Sequence, residues 1–595
     1  EATWADSPGS SKLRGYVIEY SGPRVKRTVG HMHSSESSTP GYSLHNPLGS
    51  KFTYLIDRRG RVANSWTSDY IPGAVAYLQP NGRLLRAGRV GNANFVAGGS
   101  GGILEELDWL GHTVWEYKDS DSNHCAHHDV EVLPNGNILI LAWQRISEAD
   151  AIAAGRDPAL ISQGWIWPES IIEIDPHSNG GRIVWEWHSW DHIIQDFDAS
   201  KKNSGPVAQH PELIDVNYAI DSTADWQHAN SLDYNPALDQ IMISVRTFDE
   251  IWIIDHSPTT QQARGHSGGR SGMGGDLLYR WGNPATYRAG GAAARTLYRQ
   301  HDAHWIPKGL PGAGNVLIFN NGDNRPNGDF SSVDEIVLPP RTSRGTYARP
   351  GAAYGPAGPI WSFQGKPRGS FYSAFVSGAQ RLPNGNTFIC AGTQGLSLEV
   401  TPAQDVVWLF RNPVTVTGPL TQGTVPAETF GPRGTPVFRS PLYAPDYPAL
   451  KRNALFNYGP IEKHEQVLLV EGSTAPAFVR LGETADFTLR AKGSENRAYI
   501  VATSITEGVY PLDTRFVRLG MDPILILSAQ GGAPATFRHY LGRLNAQGGG
   551  AAAIVVPNLP GLVGLEMYTA FVAHSPAAPS GLGFISNTVK VTIVR

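Results

Sequence analysis

The chain has 595 residues, more than one ordinary globular core holds, which points to two domains. Its 49 Lys and Arg nearly balance 53 Asp and Glu, for a formal net charge of −4, and they are scattered. That excludes an electrostatic footprint for nucleic acid or a membrane surface. No apolar run approaches the roughly 18 to 20 residues that span a bilayer, so no membrane span is expected.

The numbering opens on Glu1 without a Met, so we expect a removed leader upstream and a periplasmic or secreted protein. Gly41–Trp66, with Phe52-Thr53-Tyr54-Leu55-Ile56-Asp57, reads as most of one four-stranded unit. After it come three copies of one hairpin turn, Gln79-Pro80-Asn81-Gly82, Leu133-Pro134-Asn135-Gly136 and Leu382-Pro383-Asn384-Gly385. Asn-Gly suits the positive φ angles of a tight β-turn. Degenerate copies lie at Tyr234-Asn235-Pro236 and Ile306-Pro307-Lys308-Gly309. Each hairpin is followed by strands ending in aromatic pairs, such as Val184-Trp185-Glu186-Trp187 and Leu278-Tyr279-Arg280-Trp281.

This repeat predicts an all-β protein: a six-bladed β-propeller over residues 1–460, since radial repetition hides most strand edges. The nearest candidate for a helix is Ser147–Ala154. Polar or Gly-rich insertions at Glu148–Trp167, Ser189–Ala224 and Ser257–Gly275 are expected to build one face. From about Glu465 the Trp repeat stops and short alternating strands such as Thr484–Arg490 begin. Residues 461–595 therefore read as a small C-terminal β-sandwich. Cys125 and Cys390 fit no zinc or CxxC pattern, and pairing or separate burial are both open.

Aligned on their turns, three consecutive units carry a histidine at the same position: His128, His228 and His301. The other two units carry Ala74 and Ser377 there. Equivalent positions at the start of the innermost strand surround a propeller axis, so these imidazoles should converge at one mouth of the channel. Arg246 ends the strand paired with that of His228, which places it at the same rim. A guanidinium repels a metal cation but matches an oxyanion. Otherwise it would be a structural ion pair, with Asp249 or Asp255.

The segments His127-His128-Asp129, Asp225-Trp226-Gln227-His228-Ala229-Asn230-Ser231, Ser244-Val245-Arg246, Gln300-His301-Asp302-Ala303 and Gly378–Asn386 resemble the bacterial PAPS-independent arylsulfate sulfotransferases. The resemblance covers roughly residues 40 to 415. It implies a six-bladed propeller that needs no cofactor and moves a sulfuryl group from a phenolic ester donor to a phenol acceptor through a sulfohistidine. By position, His301 is similar to the nucleophile. His128, His228 and Arg246 are similar to the groups that hold the sulfuryl oxygens. His127, Asn230 and His304 are further substrate-side candidates, and His127 is the alternative to His128 because a one-residue shift reverses strand facing. The family's short-spaced disulfide and N-terminal sandwich are not found here, which leaves donor and acceptor open, as is a homodimer.

Two other readings compete. Three convergent histidines suit a metalloenzyme, with Asp129 or Asp302 behind the ligands. A silent propeller binding a sulfated or other anionic glycan at the same mouth is the third. His31, His33, His124, His210, His256 and His266 read as surface loop residues.

Overall fold

The computed structural model describes residues 27–595 apart from 179, 221, 428–430, 456–459, 464–465, 471–476, 492, 509, 513–514 and 577–580. It is mostly sheet, 41% strand against 10% helix, in a succession of antiparallel meanders. The chain divides into two compact units, one dominated by Asn64–Gly418 with flanking pieces and one by Leu455–Arg595.

In the first unit the meanders follow chain order. Pro72–Leu78 to Thr113–Lys118 form one, His124–Val132 to Arg182–His188 the next, then Ala229–Asn235 to Leu277–Trp281, and His301–Trp305 to Trp361–Gln364. Gly378–Arg381 to Val406–Arg411 form another, with Gly30–Ser34 added outside it. Tyr42–His45, Phe52–Asp57 and Val62–Thr67 lack an inner strand of their own. Leu442–Tyr443, from beyond all the other meanders, fills that place antiparallel to Tyr42–Ser43.

The three Pro-Asn-Gly turns are built alike. Gly82, Gly136 and Gly385 take φ of 94°, 90° and 88°. The asparagines do not share the left-handed conformation. Their side chains instead accept the N–H two residues on, at 2.8 Å for Arg83, 2.9 Å for Asn137 and 3.0 Å for Asn386. The turn is thus a glycine turn with an Asx brace rather than two positive φ angles. At the Tyr234-Asn235 copy, Asp239 supplies the positive φ in place of glycine.

Large apolar clusters fill the spaces between meanders: Leu141, Trp187, Ile243, Trp252 and Ile254 share one of them. Ser147 caps the short helix Glu148–Ala153 by accepting the N–H of Asp150, as its sequence suggested. Cys125 and Cys390 are buried free thiols, pushed up by burial to about 11 and about 12. No helix among the described residues is long and apolar enough to cross a membrane.

The second unit holds two sheets, one around Thr484–Ala491 and Gly549–Val555, the other around Ala498–Ser504 and Glu566–His574. Phe487, Leu489 and Ile554 of the first share one core with Val501, Phe571 and Val591 of the second.

The histidines read as surface loop residues are not all in loops or exposed. His31, His33 and His124 lie in strands, and both nitrogens of His256 donate to carboxylates, 2.9 Å to Asp239 and 3.0 Å to Glu173. Glu173 lies in the strand Glu169–Asp175 and Asp239 in the turn before Gln240–Val245, so no sequence period links them to His256.

Candidate active site

Each inner strand is interrupted by a bulge beside its functional residue: 127–129 against the Ile138–Gln144 strand, Asn230 against Ser244–Val245, and 302–303 against Ile318. A bulge re-aims the side chains next to it. His128 and His228 take left-handed φ of 51° and 49°. In the third strand it is Asp302, not His301, that has φ of 55°. The turn-based equivalence of the three histidines is therefore close but shifted by one residue at His301.

The inner strands are indexed to one another by carboxylates. Asp129 accepts the N–H of Leu232 at 3.1 Å, Asp233 that of Trp305 at 2.7 Å, and Asp302 that of Ala379 at 2.8 Å. Burial pushes Asp302 up, and Asp233 to about 6. Asn230 plays a similar part, donating to the carbonyl of Gln300 at 2.8 Å and so fixing the residue before His301.

His128 and His228 meet edge to face, with ring centroids 4.7 Å apart. Nδ1–H of His228 donates to Asp225 at 2.5 Å, and its Nε2 has no partner among the described residues. His127 stands behind His128, with its ring stacked on Trp143 at 4.0 Å. Its Nε2 lies 2.8 Å from Glu169 and its Nδ1 2.8 Å from Nδ1 of His128, one ring donating to the other. His128 faces the ring of His228, and His127 stands behind it. Gly99 lies flush against the His128 ring, where a Cβ would sit 2.1 Å from Nε2.

The tautomer of His301 follows from its neighbours. Asn321 donates to the carbonyls of Ser373 at 2.7 Å and Val376 at 3.0 Å, which turns its Oδ1 toward His301. Nδ1–H of His301 donates to that oxygen at 2.8 Å, and Nε2 accepts the N–H of Val376 at 3.1 Å. His301 is neutral. Burial, then the charge of Arg246, holds it well below the usual imidazole range; burial and the other mouth histidines do the same to His128.

Arg246 starts the short turn Arg246–Phe248, with its N–H on the carbonyl of His228 at 3.2 Å. Burial and the neighbouring Arg299 lower its pKa. The ion-pair alternative does not hold: Asp249 pairs with Arg295 at 2.9 Å, and Asp255 accepts from Ser257 and Ser271. His304 stands apart, its Nδ1–H on the carbonyl of Asp302 at 2.9 Å.

Two contributors escaped the sequence reading entirely. Phe438 lies between His128 and His301, with centroids 5.8 and 6.2 Å away. Arg439 bridges Asp129 at 2.8 Å and Asp302 at 2.9 Å, and also donates to Tyr77. Both come from a segment outside every repeat, so no turn alignment reaches them.

Among the described residues, the three mouth histidines do not form a set whose ligand atoms all fall within 4.8 Å of one another. A sequence model described as Arylsulfotransferase (ASST) matches residues 44–407, more than half of the chain. The chain belongs to that family. An arylsulfotransferase is a transferase, and small-molecule substrates fit an enzyme of this family. No curated protein matches the chain. Among solved structures, this arylsulfotransferase is similar to a protein of unknown function from Bacteroides caccae (11% identity, TM-score 0.35, 68% of this chain and 98% of that one). It is also similar to virginiamycin B lyase from Staphylococcus aureus (8%, TM-score 0.28, 64% and 88%). Likenesses this slight carry no argument about activity.

Proposed function

We propose that the protein is a PAPS-independent arylsulfate sulfotransferase that passes a sulfuryl group from an aryl sulfate to a phenol through a sulfated His301, without a cofactor. The observation that carries this is a half-buried Arg246 guanidinium with no close ion pair among the described residues, beside a neutral imidazole whose Nε2 carries a lone pair. Its planar fork of donors is thereby left open to an oxyanion.

In the first half-reaction, Nε2 of His301 attacks sulfur; the N–S bond forms, the aryl O–S bond breaks, and the phenolate leaves. His228, in its doubly protonated form on Asp225, gives its Nε2 proton to that oxygen. Arg246 and His128 hold the sulfuryl oxygens, and the Val376 N–H exchanges Nε2 for one of them. In the second half, His228 takes the proton of the acceptor phenol, whose oxygen attacks sulfur and releases His301. We read the meanders as the six blades of a propeller closed by Leu442–Tyr443, and the second unit as a β-sandwich. The proposed location is periplasmic or secreted.

Incubation with a chromogenic aryl sulfate, with and without a phenol acceptor, tests the reading. Acceptor-dependent phenol release, with one sulfuryl group trapped on His301, is expected. Release that depends on an added metal and continues in His301→Ala would favour the metalloenzyme reading instead.

A further inference from the structure

His192, His266 and Asp276 come from three separate stretches that repeat alignment leaves out. His192 ends the turn Ser189–His192, His266 sits in the Gly-rich loop after the Thr260–Ala263 helix, and Asp276 precedes the strand Leu277–Trp281. Nδ1 of His192 and Nδ1 of His266 both lie 2.8 Å from the same oxygen, Oδ1 of Asp276. The His192 ring is fully buried and the Asp276 carboxylate nearly so, while the His266 ring is 60% exposed.

The protonation of His192 is constrained by its other nitrogen. Nε2 lies 2.8 Å from the carbonyl of Ala263, which only accepts, so Nε2 carries a proton. Nδ1 then faces a carboxylate oxygen with either a second proton or a bare lone pair. A lone pair and a carboxylate aimed at each other, with a second imidazole nitrogen on the same oxygen, are a set of donors around a cation. A ligand histidine whose far N–H is fixed on a carbonyl is the usual arrangement behind a metal.

The pocket is built to hold His192 in that pose. Trp187 stacks on it with centroids 5.8 Å apart and 5° between planes, and donates to the carbonyl of Gly275 at 2.8 Å. A Cβ on Gly275 would fall 2.1 Å from the Ala263 carbonyl oxygen and 2.5 Å from Nε2, so only glycine fits. All three ligand atoms lie within 4.8 Å of one another.

We propose that His192, His266 and Asp276 form a site for a zinc-class divalent cation, apart from the sulfuryl-transfer residues. Two imidazole nitrogens and one carboxylate oxygen suit Zn²⁺, with water in the open position, and suit Mg²⁺ or Ca²⁺ poorly. Metal–ligand bonds of about 2.0–2.1 Å at tetrahedral angles place ligand atoms about 3.3 Å apart. Binding therefore opens the cluster by about half an ångström, which the exposed His266 loop allows. The cation staples that loop to the Ser189–His192 turn, whose Ser189 hydroxyl donates to Gln227 at 2.7 Å, the residue before His228.

The test uses the full chain without a histidine tag, stripped with a chelator and dialysed against Zn²⁺, Mg²⁺ or Ca²⁺. One Zn²⁺ per chain is expected, with a raised melting temperature and, for Co²⁺, the intense visible bands of a low-symmetry N/O site. His266→Ala removes a ligand yet leaves the buried His192–Asp276 pair, so it should fold; it is expected to lose at least tenfold in Zn²⁺ affinity and the thermal shift. Zn²⁺ uptake equal in wild type and His266→Ala, or none in either, would overturn the site and identify a buried imidazolium–carboxylate pair. Equal binding of Mg²⁺ would overturn the cation class.

Discussion

The backbone N–H of Val376 donates to Nε2 of His301 at 3.1 Å, on the lone pair that the proposed attack on sulfur uses. Val376 does this from a left-handed conformation, φ of 52°, which a β-branched residue rarely adopts. Val376→Gly keeps the N–H and removes that strain. Steady-state transfer is expected to stay within about threefold of wild type, while stability falls by about 1–3 kcal/mol because the buried Val376 side chain is lost from its core cluster, offset in part by relieved strain. A loss of transfer beyond tenfold would place the contribution in the side chain rather than the N–H.

Asn321 sets the tautomer of His301. Asn321→Leu should lower kcat on the order of 10²-fold with the fold retained, since the imidazole can then present either nitrogen. Asn321→Asp places a carboxylate on Nδ1–H, which favours the imidazolium. Its acid limb in the pH–rate profile should move upward relative to wild type, and an unmoved limb would count against the neutral nucleophile.

Arg246→Ala should cost on the order of 10²–10³-fold in kcat/KM. Arg246→Lys should recover only part of it, because a point charge does not reproduce the planar fork. Inorganic sulfate should inhibit the wild type competitively and fail to inhibit Arg246→Ala.

Arg439→Met leaves Asp129 and Asp302 buried without their cation. Destabilisation of about 3–5 kcal/mol is expected from chemical denaturation. Asp129→Asn with Asp302→Asn added to Arg439→Met should restore much of it.

His45 supplies a pH test away from the mouth. It is buried, with Nδ1 unpartnered, and burial lowers its pKa to about 3. As pH falls below about 6.5 the unfolded chain takes the proton first, so this group makes stability fall on acidification, down to about pH 3. His45→Gln should flatten the decline by up to about 1.4 kcal/mol per pH unit in that window. Identical slopes in the two proteins would refute the buried neutral state.

How much of this was legible in the chain depends on the kind of signal. The turns announced themselves because Gly82, Gly136 and Gly385 occupy a conformation that other residues resist. A fixed spacing from those turns picked out His128 and His228, which meet edge to face with matching left-handed φ. The bulges did not follow, nor did the left-handed φ that falls on Asp302 rather than on His301. Glu169, Asp225 and Asn321 act through hydrogen bonds made from positions with no period. Arg439 lay beyond reach, since it meets Asp129 across 310 positions without any repeat to carry it.

That separation has a consequence in time. At roughly 5–20 residues per second, synthesis takes on the order of 15–60 s to pass from Asp129 to Arg439. Throughout that interval Tyr42–His45 has no inner neighbour, and its open edge is a template for another chain. The nascent enzyme is therefore most prone to mispairing just before Leu442 and Tyr443 emerge, and a pause late in translation would lengthen that exposure.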